Sequence, residues 1–196
     1  MIESLSSTDI IDSIKLKSYN DFREIYITGE IDEDVELIVN KMFDNLIFMD
    51  KQLGSYDPII IKISSPGGYI SSGLSIVSKI EEAKKLGYQV ICIAYGLCMS
   101  VATLIFVSGS RRICQKHTQF LIHEPRAFDQ GINTVETYKR SLKDLEDSWV
   151  RAKDIIKRYS NIREKTLKEL SDSDKEYYMW AEEAKKLGMV DVILGE

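Results

Sequence analysis

The chain has 196 residues, enough for one domain of good size at roughly 150 residues per domain and too few for a second enzyme domain. Apolar residues make up 44% and charged residues 29%, the ordinary range of a soluble globular chain, which argues against a disordered chain or a disulfide-knit miniprotein. With 26 basic and 31 acidic residues the formal net charge is −5, and no long run of like charge occurs. Neither nucleic acid nor an anionic membrane surface is therefore an expected partner.

Cys92, Cys98 and Cys114 are an odd number without CxxC spacing, and two of them sit in apolar runs. They are expected to be free thiols in a reducing compartment. The first twenty residues lack a basic region followed by an apolar one, so no secretory signal is expected. The longest apolar stretch, Val101 to Val107, is far below the ~20 residues of a membrane helix. These features predict a cytoplasmic protein.

Residues 1–22 show no clear periodicity beyond a short amphipathic piece around Ile10 to Leu16 and are expected to form an N-terminal arm. Glu24 to Thr28 predicts a strand ended by Gly29. Asp32 then caps a helix whose apolar residues Val35, Ile38, Val39, Met42, Phe43 and Leu46 recur at helical spacing. After the loop Gly54 to Pro58, the run Ile59 to Ile63 predicts a parallel strand covered on both faces. Ser65-Pro66-Gly67-Gly68 turns the chain. Ile70, Leu74, Val77 and Ile80 mark a helix stopping at Leu86-Gly87, and Gln89 to Tyr95 gives the next strand. A third helix, apolar all round, is predicted from about Leu97 to Val107, ended by Gly109, and Gln119 to His123 gives another strand. This order predicts an α/β layered domain with crossover helices.

Between Thr134 and Ser160 the residues Val135, Tyr138, Leu142, Leu145, Trp149, Ala152, Ile156 and Tyr159 recur in steps of three and four. They predict one helix of about seven turns, near 40 Å at roughly 1.5 Å per residue. An ordinary core helix is one reading. A projecting helix that buries its stripe against another subunit accounts better for the length. The heptapeptide Glu-Glu-Ala-Lys-Lys-Leu-Gly occurs at 81–87 and again at 182–188, each copy a helix end with a glycine C-cap.

Only two histidines are present. His117, in Gln-Lys-His-Thr-Gln, is expected in a solvated loop. His123 ends an apolar strand at the sheet edge where α/β proteins place their sites, though a core histidine bound to a backbone carbonyl is the alternative. Ser100 falls in the first turn of the third predicted helix, where free amides favour a developing anion. It is there either a nucleophile or a helix cap. The two glycines of Ser65-Pro66-Gly67-Gly68 leave amides open to close approach, so Gly68 and Val101 can supply the two donors an oxyanion needs. A plain tight turn is the other reading.

Five stretches occur in a fixed order: Ile25 to Ile31 (IYITGEI), Ser65-Pro66-Gly67-Gly68 with Gly73-Leu74-Ser75-Ile76, the Gly-x-x-x-Ser-x-Ala motif at Gly96 to Ala102, Ile122-His123-Glu124-Pro125, and Ala181 to Asp191. In these the chain resembles the Clp protease proteolytic subunit family (ClpP, peptidase family S14) from about Arg23 to Leu194. The resemblance implies a ClpP/crotonase-like spiral of β-β-α units in a single domain over 23–196, with the helix at about 134–160 as a projecting handle. It also implies a serine endopeptidase acting on unfolded polypeptides and peptides, with Ser100 as nucleophile, His123 as general base and the amides of Gly68 and Val101 as oxyanion hole. No metal or organic cofactor is implied. Assembly is implied as homo-oligomeric heptameric rings stacked into a tetradecamer. ATP would be hydrolysed by a partner AAA+ unfoldase, since the chain has no GxxxxGK[ST] P-loop.

Four departures from the family pattern accompany this. The register set by Ala181 to Asp191 puts Glu176 where the family has Asp, with Asp174 as the competing acid. Arg126-Ala127-Phe128 stands where the family has a glycine pair, and the stretch from Gly109 to His123 is two residues shorter than in typical members. The arm also lacks the family's usual start, which guards the axial pore. Two other functions therefore stand beside the peptidase: a catalytically weak or inactive ring subunit, and acyl-CoA chemistry of the crotonase kind, which needs no Ser-His pair.

Overall fold

The computed structural model describes residues 23–126, 134–173 and 176–195. The N-terminal arm, Ala127, Phe128 and Asp174 lie outside the described residues. The described chain is a mixed α/β fold around a seven-stranded sheet. Strands β1 (Glu24–Ile31), β2 (Ile59–Gly68), β3 (Val90–Met99), β4 (Arg111–Gln115) and β7 (Val192–Leu194) lie side by side in the order β1-β2-β3-β4-β7, all parallel. β5 (Gln119–Ile122) pairs parallel with β3, and β6 (Tyr177–Trp180) pairs antiparallel with β5.

The helices are α1 (Glu33–Leu53), α2 (Ile70–Lys85), α3 (Val101–Val107), α4 (Val135–Tyr159), α5 (Glu164–Ser173) and α6 (Ala181–Lys186). The Asp32 carboxylate accepts from the Val35 amide at 2.9 Å and caps α1. All seven residues of α3 are buried; the helix packs on β2 and β3 and between α2 and α4. Every second residue of β2 from Ile59 to Ile63 is fully buried and those between are half-buried. No helix among the described residues is long and apolar enough to cross a membrane.

Three boundaries differ from the sequence reading, and each difference shapes the site. β1 does not end at Gly29; it continues to Ile31 through a register shift between Thr28 and Glu30. β2 does not turn at Ser-Pro-Gly-Gly but runs through it, because Glu30 and Ile31 pair with Gly67 and Gly68. The third helix starts at Val101 rather than Leu97, because Leu97, Cys98 and Met99 find ladder partners in Gln119, Phe120 and Leu121 of β5. A strand end and a helix that are both apolar read as one continuous run, which periodicity cannot divide.

β3 thus serves two neighbours. Ile91 to Ala94 pair with β4 and Leu97 to Met99 with β5, the strand bending at Gly96 (φ 64°). The heptad stripe of α4 is split as well. Trp149, Ala152, Ile155 and Ile156 are buried, while Val135 and Tyr138 are 74% and 54% exposed and Leu142 is exposed too. The first half of the stripe is therefore uncovered in the single chain.

Charged groups tie the ends of the chain to this frame. Arg23 is buried and grips the buried Asp50 carboxylate through both oxygens, at 2.7 and 3.1 Å. Arg112 binds the Asp191 carboxylate from its backbone amide at 2.7 Å and from Nε at 3.1 Å, and donates to the Tyr159 and Gly188 carbonyls. Burial pushes the Asp191 carboxyl up, but the side-chain and backbone bonds from Arg112 outweigh it and hold the group below its ordinary value. Stability from this pair is then complete above the unfolded carboxyl value of about 3.9 and is lost as pH falls through the lower folded value. Arg112→Leu is expected to lower the urea midpoint at neutral pH and to flatten the loss of stability below about pH 4. Equal acid slopes in the two proteins would remove the pair from the stability account.

Candidate active site

Ser100 stands between the end of β3 and the first residue of α3, at φ 54° and ψ −127°. It is the one non-glycine residue with positive φ among the described residues. Such a conformation costs of order 1–3 kcal/mol and persists only where neighbours enforce it. Those neighbours can be named. The Ser100 amide donates to the Leu121 carbonyl at 2.9 Å, and the Thr103 amide donates back to the Ser100 carbonyl at 3.0 Å. The buried Thr103 hydroxyl lies 2.7 Å from the Cys98 carbonyl and 3.0 Å from that of Leu121, clamping both strand ends. The Ser100 side chain makes no capping bond. Its Oγ lies 2.8 Å from Nε2 of His123.

His123 reaches this position because β5 pairs in parallel with the last residues of β3, Met99 facing Leu121. The ends of adjacent parallel strands thus present the hydroxyl and the imidazole to each other. The ring is half-buried, with Nδ1 buried on its far side. His117 is exposed in the turn between β4 and β5.

The third backbone stretch is the end of β2. The buried Ser65 hydroxyl accepts from the Gly67 amide at 3.0 Å. A Cβ on Gly67, which has φ +103°, would fall 2.6 Å from the Ser100 Cβ, and one on Gly68 would fall 2.2 Å from the Ile31 carbonyl oxygen. The two glycines are therefore what lets β2 pass between β1 and Ser100. Val101 begins α3, so its amide is one of those that no carbonyl within the helix can reach. Gly68, Val101, Ser100 and His123 line one groove of about 960 Å³. Leu104, Leu145 and Trp149 give it an apolar wall. Cys98, two residues before Ser100, is fully buried, and burial holds its thiol well above its ordinary range, which leaves it inert as a nucleophile.

Glu176 sits just before β6. The β5–β6 ladder pairs Leu121 with Tyr178 and Ile122 with Tyr177, so it ends one residue short of both His123 and Glu176. Its carboxylate has other partners: Oε1 accepts from Arg126 Nη2 at 3.0 Å and Oε2 from the Tyr178 hydroxyl at 2.9 Å. The sequence reading meets Arg126 only as a departure from the family's glycine pair and foresees neither these two contacts of Glu176 nor the Thr103 clamp. The antiparallel β5–β6 pairing beside these contacts involves a strand of only four residues, too short to show its period.

The sequence profile of the Clp protease family matches residues 9–196. The chain belongs to that family. It is 26% identical over 183 aligned positions to the ATP-dependent Clp protease proteolytic subunit 3 of Synechococcus sp. (strain CC9605), covering 88% of this chain and 82% of that protein. The subunit of the same name from Parasynechococcus marenigrum (strain WH8102) matches with the same identity and coverage. Among solved structures, a ClpP1 mutant from Listeria monocytogenes superposes with a TM-score of 0.76 at 23% identity, over 93% of this chain and 96% of that one. The fold of this chain is thus the ClpP fold.

The glycine contacts give a direct test of how the site is held. Gly67→Ala is expected to destabilise the protein by about 1–3 kcal/mol and to slow labelling of Ser100 by a fluorophosphonate probe more than about tenfold, an effect of the same energetic scale. Thermal unfolding and labelling kinetics would show this; wild-type values for both would mean that the close approach of β2 does not hold Ser100.

Proposed function

We propose that this Clp protease family member is a serine endopeptidase that cleaves peptide bonds of unfolded proteins and peptides through an acyl-enzyme. The observation that carries the reading is the 2.8 Å contact between Ser100 Oγ and His123 Nε2, made by a serine in a strained conformation that no capping bond explains. A hydroxyl is a weak nucleophile until a base takes its proton, and a neutral imidazole at hydrogen-bond distance is such a base.

In this mechanism Nε2 of His123 accepts the Ser100 proton as Oγ adds to the scissile carbonyl. The negative charge that develops on the carbonyl oxygen is met by the amides of Gly68 and Val101. Preorganised donors of this kind are each worth about 10²–10³ in rate. α3 has only seven residues, so the individual amides, more than a helix dipole, do this work. The imidazolium then gives its proton to the leaving amine as the C–N bond breaks, and water repeats the sequence in reverse on the acyl ester. A carboxylate orients the imidazole, with Glu176 and Asp174 as the candidates. Glu176 is favoured because the β5–β6 ladder ends one residue short of it and one residue short of His123.

The apolar wall formed by Leu104, Leu145 and Trp149 suits the side chains that an unfolded polypeptide exposes. The uncovered first half of the α4 stripe suits burial against further copies of the chain, in line with heptameric rings stacked in pairs around a chamber. A separate AAA+ unfoldase would then feed the chamber in the cytoplasm. The Ser-His contact favours this chemistry over acyl-CoA chemistry, which requires neither side chain.

A second reading, a weak or inactive subunit that serves assembly, is favoured by one observation: the carboxylate at the acid position is bound to Arg126 and Tyr178. The two are separated by labelling and turnover. The peptidase reading expects a fluorophosphonate adduct on Ser100, hydrolysis of a fluorogenic peptide, and loss of both in Ser100→Ala with the assembly unchanged by light scattering. A wild-type protein that neither labels nor cleaves when assembled would establish the second reading.

A further inference from the structure

The groove that holds Ser100 and His123 carries an uneven charge. Glu30, Glu33 and Asp144 line it, and all three are exposed. Among the described residues none of the three enters an ion pair. Arg126, the one lysine or arginine among the described residues that line the groove, is matched by the Glu176 carboxylate at 3.0 Å. The walls beside the nucleophile therefore carry an excess of negative charge.

The strand ends that build the site also place these carboxylates. Glu30 pairs with Gly67 across the β1–β2 ladder, one strand spacing or about 4.8 Å away, and a Cβ on Gly67 would fall 2.6 Å from that of Ser100. Glu33 opens α1 three residues later. Asp144 comes from α4, whose groove-lining residues change along the helix from Ser141, Asp144 and Ser148 to Trp149, Ala152 and Ile156. The groove thus has an acidic part and an apolar part. Tyr69, directly after Gly68 and 42% exposed, lines it too and adds an aromatic ring of the kind that binds cations. What marks this groove as a peptide site is the Ser100–His123 contact; the carboxylates bear on which peptides it takes.

We propose that Glu30, Glu33 and Asp144 are specificity-determining residues, which make the groove select peptides that carry a Lys or Arg side chain within a few residues of the cleaved bond. This rests on the Ser100–His123 peptidase reading and names its substrate class.

A cleft lined by one sign of charge, with walls of low dielectric, focuses its field on what enters and raises the capture of opposite charge by 10–10³. A basic side chain suits both parts of this groove, since its apolar stem can lie on the apolar wall while its charged head stays at the carboxylates. An acidic peptide meets repulsion from all three. Exposed charges in contact with water are individually weak, so the selection comes from the three acting together. It is also screened by salt, because the Debye length falls from about 10 Å at 0.1 M to about 3 Å at 1 M.

The test uses the assembled full-length protein and three internally quenched peptides of one sequence, which carry Lys, Ala or Glu at the two residues on either side of the cleaved bond. For the wild type, kcat/KM is expected to fall in the order Lys, Ala, Glu, with the Lys peptide about tenfold or more above the Glu peptide at low salt. That ratio is expected to shrink toward one as salt is raised to about 1 M, a measurement that needs no variant. In Glu30→Gln/Glu33→Gln/Asp144→Asn the ratio at low salt is expected to approach one, with labelling of Ser100 by fluorophosphonate showing that the site is intact. Each single substitution is expected to give part of the loss. A wild type that cleaves the three peptides equally, or the Glu peptide fastest, would overturn the proposal. So would a preference for Lys that 1 M salt leaves in place, or one that persists in a triple variant that labels. Absence of labelling and cleavage in every form, the wild type included, would remove the peptidase reading and this proposal with it, whereas the preceding outcomes leave that reading standing.

Discussion

The site depends on a backbone constraint: Ser100 is held at positive φ, where a side chain is unfavourable, because three strand ends leave it no other place. β3 is committed to β5 through Met99, α3 begins at Val101, and the Ser100 amide is bound to the Leu121 carbonyl. β2 closes the remaining side, with Gly67 against the serine and Gly68 against Ile31. The strain is compensated by the burial of α3 and by the ladders around it. It aims a hydroxyl at the imidazole at the end of the neighbouring strand.

The same constraint explains why the irregularities of the sheet gather at one level. The register shifts of β1 against β2 and of β2 against β3 fall at residues 28–30 and 63–65, and β3 changes neighbour between Ala94 and Leu97. Each lets a strand leave the regular ladder and approach Ser100 or the groove beside it. Below this level the sheet is ordinary, with isoleucines packed at full burial. Above it, backbone amides and polar side chains face a cavity large enough for a segment of peptide. Glu176, one of the two proposed acids, shares its neighbourhood with Arg126 and Tyr178.

Much of the fold was legible in the sequence wherever one face of an element is buried and the other is not. The spacing from Val35 to Leu46, the cap at Asp32 and the run from Ile59 to Ile63 correspond to α1, its N-terminus and β2. Boundaries were misread where local signals compete with pairing. Gly29 and Ser-Pro-Gly-Gly look like breaks, but ladder bonds between them carry both strands onward. Leu97 to Val107 looks like one helix because strand end and helix are equally apolar. Ser100 and His123 were singled out by residue type, position and resemblance to a family. Their 2.8 Å contact is a long-range consequence of the β3–β5 pairing, which no local spacing encodes. Arg126 stands out in the sequence only as a departure from the family's glycine pair; its contact with Glu176, like that of Tyr178, is seen only in the folded chain.

The most direct measurement of the central claim is an experimental structure of the protein carrying a phosphonate adduct on Ser100, whose phosphoryl oxygen stands in for the carbonyl oxygen of the tetrahedral intermediate. The account predicts Ser100 still at positive φ and that oxygen within about 3 Å of the amides of both Gly68 and Val101. An adduct whose oxygen points into solvent, with Ser100 relaxed to negative φ, would contradict it.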